Sequence, residues 1–341
     1  MSPYPGNDHL TTWGGLFARE TMTTYRQLSF LPTLAPAGRP DPDSDALRCR
    51  AGVEFHEINV REILNRSGNS RLPFVWTINP YRGCEFACSY CYARYTHGFF
   101  NLHRWEDFEE KIFVKRGAAG SLRRRLRRAA LANEPIAFGT ATDPYQPAEH
   151  HYRVTRSLLE ELLQVRGLQF SITTKSPIIL RDLELLRELK KLHRLRVNVT
   201  ITCLDTDIAR RIEGHAPTPA ARMRTAGKLV RAGIDTAIFC MPVMPHINSS
   251  TAILRPLFEA AHRAGVNNIF PNALYLRREI REPFLGWIES EFPELGQRYR
   301  QLYGGRSYLP RSEQEKLLGA FRKLKAEFDF GRRPGSSQKE S

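Results

Sequence analysis

The sequence has no run approaching the ~18 consecutive apolar residues of a membrane-spanning helix. Its opening, MSPYPGNDHLTTWGG, lacks the basic stretch followed by an apolar stretch that marks a secretory signal. We therefore expect a cytoplasmic protein with no membrane partner. Cysteine is sparse, six residues in 341, and a chain of this length has core enough to dispense with a disulfide framework. Internal repeats and low-complexity blocks are missing too, which sets aside solenoid and fibrous architectures. Acidic residues are outnumbered, 36 against 51 Lys and Arg, leaving a formal charge of +15. That balance favours acidic partners such as nucleic acid or phosphorylated ligands, but it identifies no substrate.

What is present is an ordinary globular composition, 41% hydrophobic and 26% charged, in a length that suits two domains or one large α/β barrel. Residues 1–52 read as an N-terminal extension. The segment LPTLAPAGRPDPDSD (31–45) holds four prolines and little apolar periodicity, as a linker or a surface-draped strand of chain does. From Val53 onward, β-rich runs alternate with amphipathic segments. We expect strands at Phe74–Asn79, Ile136–Thr142, Phe170–Lys175, Val197–Thr202, Thr236–Val243 and Asn268–Leu276. Between them, SLRRRLRRAA carries Leu122, Leu126 and Ala129 on one stripe, and LLEELLQV and LELLRELKKL repeat the helical spacing. Strands alternating with helices point to a parallel sheet of βα units, whose functional site lies at the carboxyl ends of the strands. The expected divisions are 53–280 for this core, 281–330 for a helical region containing the loop GGRSYLPRS, and 331–341 for a polar tail.

Three of the six cysteines fall within eight residues, in GCEFACSYCYARYTHG. Cys84, Cys88 and Cys91 have the spacing C-x3-C-x2-C, which lets a loop curl until three thiolates meet on one small object. Soft thiolates select iron–sulfur clusters, zinc or Cu(I). An ordinary [4Fe–4S] site uses four cysteines, so three imply a ligand from elsewhere or an iron left open. An open position is what a catalytic metal site keeps. Three other readings stand beside it: zinc held by the three cysteines and His97 in a nucleic-acid-binding module, a purely structural or coincidental cluster, and a closed electron-transfer cluster completed by Cys203 or Cys240.

The motif, with an aromatic residue, Tyr90, directly before its last cysteine, resembles the radical S-adenosylmethionine (SAM) superfamily. The stretches WTINPYRGCEFACSYCYARYTHGFF, GTATDPYQPAE, TTKSPIILRDLELL and APTPAARM are similar to the branch related to spore photoproduct lyase, in particular its uncharacterised actinobacterial members. This likeness runs from about Val53 to Lys316. It implies a partial (β/α)6 barrel of the TIM type, with the N-terminal extension and C-terminal helices outside it. It also implies a [4Fe–4S] cluster whose open iron is chelated by the amino and carboxylate groups of SAM. Reductive cleavage of SAM then yields a 5′-deoxyadenosyl radical that abstracts hydrogen from a substrate, and the electron comes from a reductant protein of flavodoxin or ferredoxin type.

By the same resemblance Lys175 contacts the SAM carboxylate, Thr142 and Asp143 its amino group, Thr200 and Arg222 lie near it, Tyr90 covers the adenine and Tyr92 faces the substrate. Each also has a plainer reading. Lys175 ends a strand at the surface, Thr200 is a strand former, Asp143 caps the turn before Pro144, Arg222 is a solvated helix residue, and the tyrosines pack. One departure stands out. Spore photoproduct lyase has a cysteine on its second strand that returns hydrogen to the product radical, whereas this chain has Gly139, Thr140 and Ala141 there. Cys203 and Cys240 are alternative donors or small buried hydrophobes. The block Lys115, Arg116, Arg123, Arg124, Arg125, Arg127 and Arg128, with no acid between, reads as a phosphate-binding face or as a helix face paired with Glu106, Asp107, Glu109 and Glu110.

Overall fold

A computed structural model describes residues 25–27, 52–68, 72–128, 131, 134–328 and 330. The proline-rich segment, Cys49 and the polar tail lie outside the described residues.

All six expected strands form, and they lie side by side in chain order in one sheet. They are β4 (Trp76–Ile78), β7 (Ile136–Phe138), β8 (Gln169–Thr174), β9 (Arg194–Thr200), β10 (Asp235–Val243) and β11 (Asn268–Ala273). Every pairing among them is parallel. A seventh strand, β3 (Leu64–Arg66), adds antiparallel to β4 at one edge. β3 and β11 are the two ends of the sheet, so the barrel is partial and open. The second strand is shorter than expected because Gly139 turns the chain at φ +81°. A Cβ there would meet Pro144 Cδ at 2.6 Å and the Thr173 carbonyl at 2.7 Å, so only glycine fits. The sixth strand also stops early, since the Leu276 amide leaves the ladder to donate to Ser307 O.

Alternation along the strands separates core from lumen. Ile172, Val197 and Val199 enter the apolar core shared with the outer helices, while Ser171, Thr173, Asn198 and Thr200 line a cavity on the inner side. The helix Leu183–Leu192 buries Leu185, Leu186 and Leu189 on one stripe, each contributing about 1.5–3 kcal/mol by leaving water. Helix starts are capped by side chains: Thr218 accepts from the Ala221 amide with Pro219 next, and Ser250 accepts from the Ile253 amide. The exposed edge β11 is covered by the C-terminal helix Arg311–Ala326, whose Lys325 ammonium donates to Ile269 O at 3.1 Å and whose Phe321 meets Phe258 at 4.9 Å. Two further helices, Arg278–Glu291 and Gly296–Tyr303, precede it.

A second sheet was not expected. β1 (Tyr25–Gln27), β2 (Glu54–Asn59), β6 (Lys111–Arg116) and β5 (Tyr81–Arg82) pair in that order. Its formation breaks up the supposed basic face. Lys115 and Arg116 belong to β6, and Lys115 is buried. Arg116 pairs with Glu57 at 3.0 Å, Arg123 with Glu161 at 2.5 Å, and Arg125 lies 4.9 Å over Trp76. The acidic stretch pairs elsewhere, Asp107 with Lys111, Glu109 with Arg94, and Glu106 and Glu110 with Arg104. Arg124 and Arg127 remain exposed.

Candidate active site

The three clustered cysteines open onto a cavity of about 1680 Å³ that runs through the barrel lumen. Their loop is held from three sides. At its start Gly83 has φ +84°, and a Cβ would meet the carbonyl oxygens of Phe108 and Lys111 at 2.8 and 2.9 Å. Close approach to that backbone lets the Cys84 amide donate to Phe108 O at 3.0 Å. From the second strand, Thr142 Oγ1 donates to Gly83 O at 2.6 Å, and Gln146 bridges Gly83 O and the Glu85 amide. From the far side, the Ser89 amide donates to Ile212 O and the His215 amide to Phe86 O. Cys91 then opens a 3-10 turn, Tyr92–Phe100.

Burial pushes all three thiols up: Cys84 well above the ordinary range, Cys88 to about 11, and Cys91 upward against the opposing charge of Arg94. Bare, they are neutral thiols at pH 7. As thiolates they require cationic metal beside them. Among the described residues no three His, Cys, Asp or Glu side chains converge closely enough to hold a single metal ion.

Tyr90, Thr142, Asp143, Lys175 and Thr200 all line the same cavity as the cysteines, with Tyr92. Their engagements differ. Both Asp143 oxygens are engaged: one accepts from Thr174 Oγ1 at 2.6 Å and the Tyr145 amide at 2.9 Å, the other from the Lys175 amide at 2.7 Å. Burial nevertheless raises its pKa. Thr142 spends its hydroxyl proton on Gly83 O. Tyr92 donates to Thr140 O and Tyr90 to Glu213. Lys175 is partly buried, its side chain 16% exposed, 3.9 Å from Glu213 and 5.6 Å over the Tyr90 ring. Burial favours its neutral form, but Cys88 and Glu213 outweigh that and hold its pKa above the usual lysine value.

Glu213 is the residue the sequence reading missed. It is 0% exposed and meets Arg222 at 2.5 Å. Arg222 is no solvated helix residue, since its Nε donates to Pro217 O at 2.7 Å and its Nη1 to Thr200 O at 3.2 Å. The signal was faint but present: Glu213 closes the helix Thr206–Ile212, and an acid at a helix C-terminus is disfavoured unless a cation elsewhere holds it.

His97 does not join the thiols. Its Nε2 lies 2.8 Å from Lys111 O, its ring packs against Phe108 and Phe113 at 5.1 and 5.5 Å, and burial pulls its pKa down to about 4. It does not line the cavity, so the zinc site with His97 falls away. Cys203 and Cys240 are buried with their thiols toward the carbonyls of Asp205 and Thr202, and neither lines the cavity. They fit neither a fourth ligand nor a hydrogen donor there.

At the mouth, Tyr275 and Tyr308 lie 4.7 Å apart, and Arg277 sits 3.8 Å over Tyr95. Tyr308 and Phe99 are the large apolar side chains most exposed among the described residues.

A family model described as the Radical SAM superfamily matches residues 78–253. An uncharacterised protein of Mycobacterium tuberculosis is 37% identical over 267 residues, 78% of each chain. An uncharacterised protein of Methanocaldococcus jannaschii is 26% identical over 245 residues, 71% of this chain and 85% of that one. Among solved structures, spore photoproduct lyase complexed with dinucleoside spore photoproduct superposes with a TM-score of 0.60 at 16% identity, covering 81% of this chain and 80% of that one. A mutant of that lyase with bound AdoMet and dinucleoside spore photoproduct gives 0.60 at 17% identity, covering 80% and 79%. At these identities the likeness to the lyase is one of fold.

Proposed function

The chain belongs to the radical SAM superfamily and is an enzyme of that chemistry; from that premise we propose that Cys84, Cys88 and Cys91 hold a [4Fe–4S] cluster and that SAM completes it. The observation that carries this reading is the convergence of the three thiols with Lys175 and Thr200 on one cavity, in a loop pinned on three sides. When bound, cluster and SAM supply one electron and a 5′-deoxyadenosyl radical that takes hydrogen from the substrate.

The chain's own residues then bind and orient. The Lys175 ammonium, fixed by Glu213, receives the SAM carboxylate as a point charge. Tyr90, tethered through its hydroxyl, offers its ring face to the cofactor. With both Asp143 oxygens engaged, its part is to hold the Thr174–Lys175 backbone and to leave one lone-pair direction for the SAM amino group. Gly139 has no room for any side chain, so the hydrogen-returning cysteine of the lyase has no equivalent at that position. The electron donor is a flavodoxin- or ferredoxin-type protein. For substrate, the mouth favours a nucleic acid: the paired, tilted rings of Tyr275 and Tyr308, with Arg277 nearby, offer an aromatic surface for an unpaired base, and the charge of +15 attracts its backbone.

Anaerobic loading with iron and sulfide, then dithionite and SAM, should give a brown protein that releases 5′-deoxyadenosine. Cys84→Ala, Cys88→Ala and Cys91→Ala should each abolish release. A colourless protein, or one that leaves SAM intact, overturns the reading. Binding of single-stranded oligonucleotides should weaken steeply with salt, and salt-insensitive binding or none removes nucleic acid as the substrate.

A further inference from the structure

Immediately behind the cysteine loop lies a buried ion pair that neither the sequence motif nor any proposed SAM contact accounts for. Arg94, three residues past Cys91, has a side chain only 4% exposed, and Glu109 one 10% exposed; they meet at 2.6 Å. The guanidinium donates twice to the Cys88 carbonyl, from Nε at 3.3 Å and Nη2 at 3.2 Å, and from Nη1 to Trp105 O at 2.6 Å. Its plane rests 4.1 Å over the Trp105 ring. The cation is thus bonded directly to the loop backbone, and the carboxylate is bonded to the cation. Glu109 is anchored from another element, the helix Asp107–Glu110 that leads into β6.

We infer that the Arg94–Glu109 pair is a positioning device that also sets the reduction potential of the group the three cysteines bind. This rests on the cluster reading above. The potential of an iron–sulfur cluster follows the net charge around it, the hydrogen bonds it receives and its exposure. Reduction adds a negative charge, so a cation nearby stabilises the reduced form and raises the potential, and an anion lowers it. Because the two charges are paired and buried, removing either unmasks the other in a poorly screened site. The pair therefore predicts shifts of opposite sign from its two halves, which a merely structural brace does not.

The test is a mediated redox titration, followed by electron paramagnetic resonance, of full-length protein loaded anaerobically with iron and sulfide, without SAM. Arg94→Met, which bares Glu109, should lower the midpoint potential. Glu109→Gln, which bares Arg94, should raise it. The double variant should return close to wild type, and Arg94→Lys should stay nearer wild type than Arg94→Met. Shifts of the same sign, or no shift in Glu109→Gln, overturn the inference. Should Arg94→Met load no cluster, Glu109→Gln decides alone: a raised potential supports the inference, an unchanged or lowered one overturns it. If wild type itself forms no cluster, the failure belongs to the cluster reading instead.

Discussion

Glu213→Gln probes the contact network beneath the cavity most directly. The carboxylate meets Arg222 at 2.5 Å with 0% and 1% exposure, accepts a hydrogen bond from the Tyr90 hydroxyl, and lies 3.9 Å from Lys175. Removing its charge leaves the buried Arg222 guanidinium without its carboxylate and Lys175 without one of its two neighbouring carboxylates, Asp143 being the other. Breaking a buried pair in this way costs about 3–5 kcal/mol, against roughly 1 kcal/mol for a neutral hydrogen bond. Arg222 keeps its two carbonyl acceptors, Pro217 O and Thr200 O, so the lower end, about 3 kcal/mol, is expected. Urea unfolding of the metal-free chain followed by tryptophan fluorescence reads this. With a slope of roughly 3 kcal/mol per molar urea, the midpoint should fall by about 1 M. Glu213→Gln combined with Arg222→Met should cost at least ~1 kcal/mol less than the sum of the two single changes, because both charges leave together. A loss below ~1 kcal/mol for Gln alone, or additivity within ~0.5 kcal/mol, refutes the argument that charge pairing holds this region.

Three further outcomes are expected. Gly139→Ala should destabilise by about 2–5 kcal/mol, from left-handed strain and overpacking, whereas Gly167→Ala, also at positive φ but with nothing within 4 Å, should cost only about 1 kcal/mol; equal melting shifts would show that the Pro144 contact is irrelevant. His97 is neutral and buried with a folded pKa of about 4 against 6.5, so the unfolded chain binds more protons between those values. Its contribution is complete above pH 6.5 and lost as pH falls through 4, about 3 kcal/mol in all; His97→Gln should flatten that part of the stability profile, and an unchanged slope assigns the effect elsewhere. Lys175→Met should weaken SAM binding by about 10- to 100-fold, the worth of a charge-assisted hydrogen bond, with iron content unchanged; equilibrium dialysis at wild-type affinity would remove Lys175 from the SAM site.

The parallel sheet was legible because each of its strands is a compact β-branched or aromatic run bounded by turn residues, and runs such as VNVTIT carry their own period. The four-stranded sheet was not, because β5 is only Tyr81–Arg82 and β6 reads as part of a charge block. Two-residue pairings leave no periodic trace and form only when the partner strand arrives. The cysteine cluster was legible for the opposite reason: its spacing is local, so residues four and three apart announce it in the sequence itself.

Sequence alone therefore determined the strand series, the thiol cluster and, through the flanking motifs, the superfamily. It also placed Lys175 at a strand end, where a βα fold gathers its chemistry, Thr200 on the fourth strand and Tyr90 beside Cys91. Tertiary structure decided how charges are partnered. Arg94 with Glu109, Arg222 with Glu213, and His97 with the Lys111 carbonyl join elements that are separated in the chain. Whether an arginine is solvated or buried, or a histidine a ligand or a core residue, depends on what packs over it. That information lies in the three-dimensional arrangement of elements, since desolvation acts on neighbours in space rather than in sequence.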